Sequence, residues 1–232
     1  MPGFVLRIWL PDRPGVLGSV ATCIGAVGGD VTGIDILERE RGVAVDELVV
    51  ELPDEDLLDS MVAEVGRVPG VKVESALPSP MPRSDPRLDA LETAAFLVGH
   101  HDVAQLLSGL VERSRTGFDA DWVVVMDVES RTYLEKSGQG PTPLWLAAFA
   151  AGHRLRNGGD GDGGPADLAW ATMDMANLVV ALGRLHRPFR ARERLQLAML
   201  VRIADVRWAE LAVRPARFAH PSTGLRPATL LR

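Results

Sequence analysis

An interruption near the start of this chain constrains its fold more than any other feature. Phe4, Leu6, Ile8 and Leu10 alternate with Val5, Arg7 and Trp9, the period-two pattern of a strand with one strongly apolar face. Pro11-Asp12-Arg13-Pro14-Gly15 stops that pattern. Val16, Leu17, Val20, Ala21, Ile24 and Val27 then recur at helical spacing until Gly28-Gly29. A strand, a sharp turn and a helix follow one another without room for anything else.

The pattern continues in kind. Residues 31–38 read as a second strand carrying Ile34 and Ile36, and Glu40-Arg41-Gly42 as a turn. Residues 43–52 read as a third strand in which Leu48, Val50 and Leu52 share a face. Pro53-Asp54-Glu55-Asp56 has the chemistry of a helix start, with acids near the positive end of the dipole. Leu57, Leu58, Met61, Val62 and Val65 follow at helical spacing, and Pro69-Gly70 turns the chain into a short last strand at 71–74. The order is β-α-β-β-α-β, the split βαβ arrangement, which buries two amphipathic helices on one sheet face. Val5, Trp9 and Val49 fall on the other face, and a Trp there suggests a partner surface.

Residues 78–87, with Pro78, Pro80, Pro82, Pro86, Ser79 and Ser84, read as a linker too rich in proline for a regular element. Beyond it come helical patterns at 87–99 and 102–115, strands at 122–127 and 131–136, and a helix at 143–151. A glycine-aspartate loop at 157–165, strands at 168–173 and 178–185, and a long helix at 190–211 complete the pattern. From Val213 onward there are four arginines, three prolines and no acids, the composition of a flexible tail. The expected class is α+β, divided into 1–77, a 78–87 linker, 88–213 and a 214–232 tail. The second unit combines an antiparallel sheet with flanking helices.

Composition narrows the partners. Residues 1–80 carry 14 acidic and 6 basic side chains, and the remainder 17 and 19. An acidic first part with no basic stripe to compensate argues against nucleic acid. No apolar run reaches the ~18–20 residues of a membrane span, and none opens the chain behind a basic segment. Cys23 is the single cysteine and has no CxxC partner, which fits a reducing, cytoplasmic setting.

Asp12-Arg13-Pro14-Gly15-Val16-Leu17, followed at the right distance by Gly28-Gly29-Asp30-Val31, resembles the ACT domain, a ligand-binding regulatory module of amino-acid metabolism. The resemblance covers roughly 4–75 and implies a ferredoxin-like βαββαβ fold; Asp30 stands where that family commonly has Asn. It further implies a site between the first turn of one protomer and the start of the second strand of another. Less specifically, 86–213 resembles a GAF-type sensory domain. Trp122-Val123-Val124-Val125-Met126-Asp127 and Gly138-Gln139-Gly140-Pro141 carry that likeness, together with the ending Leu182-Gly183-Arg184 and Pro188-Phe189-Arg190-Ala191-Arg192-Glu193-Arg194-Leu195.

The 12–17 turn has its own chemistry. Pro14 presets φ for a first helical turn and gives up an amide that would lack a partner anyway. Gly15 lets another group approach the backbone. The amides of Val16 and Leu17 then point out of the helix start, where the dipole favours an anion such as an amino acid's carboxylate. Asp12 and Asp30 are candidate acceptors for the ligand's ammonium. The ligand-binding set is therefore Asp12, Arg13, Pro14, Gly15, Val16, Leu17, Asp30 and Val31. The plain alternative is a good helix entry with Asp12 as its cap, in a domain that only dimerises.

Other signals carry less. The 158–164 glycines lack the strand-loop-helix setting and the Lys-Ser/Thr of a phosphate loop, and Asp160-Gly161-Asp162 lacks the closing Glu of a calcium loop. His100-His101-Asp102 reads as a helix boundary with Asp102 as N-cap, and Cys23 as a small buried hydrophobe. No catalytic set, metal site or cofactor is implied. In the long helix, Leu195, Met199, Ile203, Val206 and Leu211 line one face, and Leu197, Leu200, Val201, Ala204 and Trp208 another. Such a helix packs on its own sheet and on a second partner, here the helix at 87–99 and a second copy of the chain in a four-helix contact.

The resulting expectation is a non-catalytic, allosteric, homodimeric sensor of a small molecule, an amino acid for choice. No output segment is attached, so its effect passes through a separate effector protein. The alternatives are a structural protein whose two domains mediate only dimerisation and partner assembly, and a regulatory fragment of an enzyme encoded elsewhere.

Overall fold

The computed structural model describes residues 1–79, 86–157, 165–185 and 187–213. The first unit comprises β1 (Gly3–Pro11), α1 (Val16–Ala26), β2 (Asp30–Glu40), β3 (Val43–Glu51), a 3-10 turn at Glu55–Leu57, α2 (Leu58–Gly66) and β4 (Lys72–Ser79). Its strands form one antiparallel sheet in the order β2-β3-β1-β4. Alternation in β1 sends Phe4, Leu6, Ile8 and Leu10 to the face beneath the helices, where they meet Val16, Val20 and Ile24 of α1 and Met61 and Val65 of α2. Asp54 caps the 3-10 turn by accepting from the Asp56 amide at 3.1 Å. The β2–β3 hairpin closes through Arg41 and Gly42, both at positive φ.

Two details differ from the sequence expectation. β4 does not stop at 74 but runs to Ser79, with Pro78 opposite Phe4 and Ser79 opposite Gly3, so the first two residues of the expected linker are sheet. β4 is an edge strand, the place in a sheet that tolerates a residue without an N–H. Cys23, expected to be buried, is half-buried at the margin of the α1 apolar face, beside the deeper Val20 and Ile24. The rest of the linker at 80–85, the glycine-aspartate loop at 158–164 and the tail at 214–232 lie outside the described residues.

The second unit comprises α3 (Pro86–Gly99), α4 (Val103–Gly117), β5 (Trp122–Asp127), β6 (Thr132–Ser137), α5 (Pro143–Asn157), β7 (Leu168–Met173), β8 (Leu178–Gly183) and α6 (Ala191–Val213). Its antiparallel sheet has the order β6-β5-β8-β7. One face packs on α3, α4 and α6 through Leu97, Leu106, Leu110, Leu197 and Val201, against Val123, Val125, Ala171 and Val180. The other packs on α5 through Leu146, Ala147 and Ala150, against Val124, Met126, Trp170 and Val179. β5, β7 and β8 are thus buried on both sides, which is why they read as continuous apolar runs. Asp102 caps α4 as expected, accepting from the Gln105 amide at 2.8 Å. At Gly183 a Cβ would fall 2.4 Å from the Trp122 ring, so only glycine lets that indole lie across β8.

The outward face of the first sheet is covered by the chain itself. Arg7 of β1, 1% exposed, donates to Glu47 of β3 at 2.8 Å, to Glu193 of α6 at 3.3 Å and to the Pro188 carbonyl at 3.1 Å. Arg190 pairs with Glu74 at 2.6 Å and Glu38 at 3.3 Å, and lies 4.5 Å from the centroid of the Trp9 ring. Arg192 pairs with Asp35. The partner surface expected at Trp9 is therefore met by the start of α6.

Candidate functional site

Two short bonds shape the turn between β1 and α1. The Asp12 amide donates to the Gly42 carbonyl at 2.9 Å, tying the turn to the β2–β3 hairpin, and the Arg13 amide donates back to Pro11 at 2.8 Å. Gly15 is the N-cap of α1 at φ +92°, a left-handed conformation that any side chain would strain. Among the described residues no side chain caps this helix, and its first intrahelical bond runs from the Ser19 amide to Gly15 at 3.0 Å. The amides of the opening turn therefore meet no side-chain acceptor and keep the positive end of the helix dipole. Asp12 takes no part in capping. Its carboxylate lies 3.8 Å from Arg39 of β2 instead.

Beside this helix start is a cleft of about 310 Å³. One wall is the turn itself, from Leu10 to Gly15, with Leu17; the other is the sheet, through Ile36, Arg39, Ala44 and Asp46. Of the residues named from sequence, Asp12, Arg13, Pro14, Gly15 and Leu17 line it. Val16 turns inward and is core. Asp30 and Val31 do not join them. They sit at the far end of β2, Asp30 opposite Glu51 and Val31 opposite Val50, roughly 30 Å along the strand from Arg39 at ~3.3 Å per residue. Within one chain, Asp12 and Asp30 are at opposite ends of the sheet.

Asp46 is the residue that sequence reasoning missed. It lies in β3 between Ile8 of β1 and Ile36 of β2, on the face that carries the core. It is 3% exposed, and among the described residues its Oδ1 has no hydrogen-bond partner. Burial raises its pKa; Arg39 opposes that shift, while Asp12 and Asp35 add to it. The available signal was a break in alternation: Ala44, Leu48 and Val50 face the core at every second position, and Asp46 occupies the position between.

A larger depression of about 580 Å³ lies between α4 and the β6 edge. Several of its polar groups are already engaged: Arg115 donates to Ser137 at 2.9 Å, Arg187 pairs with Asp119 at 2.8 Å, and Asp121 accepts from the Leu185 amide at 2.7 Å. Among the described residues no group of three His, Cys, Asp or Glu side chains is placed to hold a metal ion.

The family model of the ACT domain matches residues 4–70. No curated protein matches the chain. Among solved structures, an uncharacterized protein from Thermotoga maritima is 22% identical, covering 33% of this chain and 94% of that one at a TM-score of 0.27. The ACT domain of a GTP pyrophosphokinase from Chlorobium tepidum is 16% identical, covering 34% and 100% at 0.28. An unknown protein from Galdieria sulphuraria is 16% identical, covering 42% and 62% at 0.30. By the family model alone, residues 4–70 carry an ACT domain, and that domain suggests a regulatory role in binding a small molecule.

Proposed function

We propose that this chain is a non-catalytic regulatory protein of the cytoplasm that binds an amino acid at the β1–α1 turn and passes the bound state to a separate effector. The observation that carries the reading is the cleft itself. An uncapped helix start, opened by Gly15 at positive φ, faces about 310 Å³ of space inside the segment that the ACT family model matches. Helix-start amides favour a carboxylate. The acids around the cleft, Asp12 and Asp46, favour an ammonium.

The second unit is read as GAF-like, and a route from the cleft to it runs along β2. Ile36 and Arg39 line the cleft, while the intervening Glu38 and the neighbouring Asp35 hold Arg190, just before α6, and Arg192 in its first turn. A ligand that favours one setting of β2 biases the seat of α6 in the same measure.

Dimerisation belongs to the same reading. Leu195, Met199 and Val206 stand exposed along one stripe of α6, and Leu88, Leu91 and Val98 are exposed on the neighbouring α3. The opposite face of α6, with Leu197, Leu200, Val201 and Ala204, is buried in its own domain, as is Leu211, which the sequence pattern puts on the outer stripe. Two adjacent helices with outward apolar residues suit a four-helix contact with a second copy. The same surface supports the second reading, an assembly protein without a ligand.

Scanning fluorimetry of the full chain against the twenty common amino acids and common nucleotides separates the two. An amino acid at one hundred times its dissociation constant stabilises by about 2.7 kcal/mol. A flat response to every compound rejects the sensor and leaves the assembly protein.

A further inference from the structure

We propose that Asp46 is the ammonium-binding carboxylate of an amino-acid site built entirely within one chain. The inference rests on reading the β1–α1 cleft as a ligand site and goes beyond it. It names the residue that completes the site and removes the need for Asp30 from a second copy.

Asp46 stands in the third strand, at a position whose neighbours in register are Ile8 and Ile36. It is 3% exposed, lines the cleft, and leaves Oδ1 without a hydrogen bond. A buried carboxylate with an unpaired oxygen is costly, and such a group in a native chain calls for an explanation. Arg39 lies 3.8 Å from Asp12 and gives Oδ1 of Asp46 no hydrogen bond.

The cleft therefore has two poles. On the turn side, the helix-start amides above Gly15 present N–H donors without a side-chain acceptor. On the sheet side, Asp46 presents an acceptor without a donor. A free α-amino acid carries the complementary pair, a carboxylate and an ammonium, on a single carbon. Its side chain then meets the apolar remainder of the cleft, Leu10, Leu17 and Ile36. Asp30 of the same chain, at the far end of β2, lies outside this arrangement.

The test uses the full chain and the twenty common amino acids, followed by titration calorimetry with whichever binds. Asp46→Asn keeps the shape and removes the charge, and is expected to weaken that amino acid about ten- to a hundredfold, as loss of a charge-assisted hydrogen bond does. Asp30→Ala is expected to bind as wild type does. The deaminated analogue of the same amino acid, tested on the wild-type chain, should lose affinity by a similar factor. This arm stands even if a variant fails to fold. Unchanged binding by Asp46→Asn, or full affinity for the deaminated analogue, overturns the inference. Loss of binding in Asp30→Ala, with Asp46→Asn intact, also overturns it, but leaves a sensor whose site lies between copies. No binding of any amino acid to the wild-type chain overturns both this inference and the sensing role.

Discussion

Arg7 and Glu193, 186 positions apart in the chain, meet at 3.3 Å where the first sheet and the last helix close on each other. Glu193 does more than bind Arg7. Both its oxygens accept from Arg184 at 2.8 Å, and it reaches back to the Arg190 amide at 2.9 Å, the reciprocal half of a capping box. Burial works against the charge on Arg7, and Glu193 with Glu47 more than offsets it, holding its pKa above the usual arginine value. Burial likewise pulls Arg184 down to about 10, with Glu193 opposing, so it stays charged at neutral pH.

Glu193→Ala should therefore destabilise the fold by about 3 kcal/mol, because two buried guanidiniums lose a shared carboxylate and α6 loses its cap. Glu193→Gln, which keeps the cap geometry, should cost less. The urea midpoints of the two variants check the order.

Asp46→Asn should raise stability at neutral pH while weakening the ligand response. The sign follows from the raised pKa in the folded state. The favourable contribution of neutral Asp46 is complete below the unfolded value of 3.8, and is lost as pH rises through the folded value. Arg39 lowers that value, and Asp12 and Asp35 raise it further. Melting temperatures of variant and wild type should then differ more at pH 7 than at pH 3. An equal gap at both, or a variant less stable at pH 7, refutes the assignment.

Gly15→Ala tests the turn alone. A Cβ there meets nothing within 4 Å, so the whole penalty is backbone conformation at φ +92°, about 1–2 kcal/mol. Denaturant titration reads it directly, and a neutral outcome means that the helix start can relax.

Leu195→Glu combined with Met199→Glu should halve the sedimenting mass without lowering the melting temperature of the monomer, since both side chains already face outward. A wild-type chain that sediments as a monomer, or a variant that still pairs, rejects the α6 contact.

Local periodicity made most of the fold legible. The alternation at Phe4–Leu10 and the stop at Pro14-Gly15 are properties of adjacent residues, and adjacent residues determine strands, turns and helix starts. The same logic placed the turn that lines the cleft and the cap at Asp102. What it missed depends on residues far apart in the chain. Arg7 alternates with apolar neighbours and so looks solvent-facing, yet its partners are Glu47 and Glu193. Asp46 looks like any polar residue in a strand until the sheet register puts it on the core face.

The roofing of β1 by Arg190 and Glu193 has a consequence for how copies of this chain can meet. The outward side of that sheet is taken in cis, so among the described residues a neighbouring molecule meets the rims at β2 and β4, the α1–α2 roof and the outer helices of the second unit.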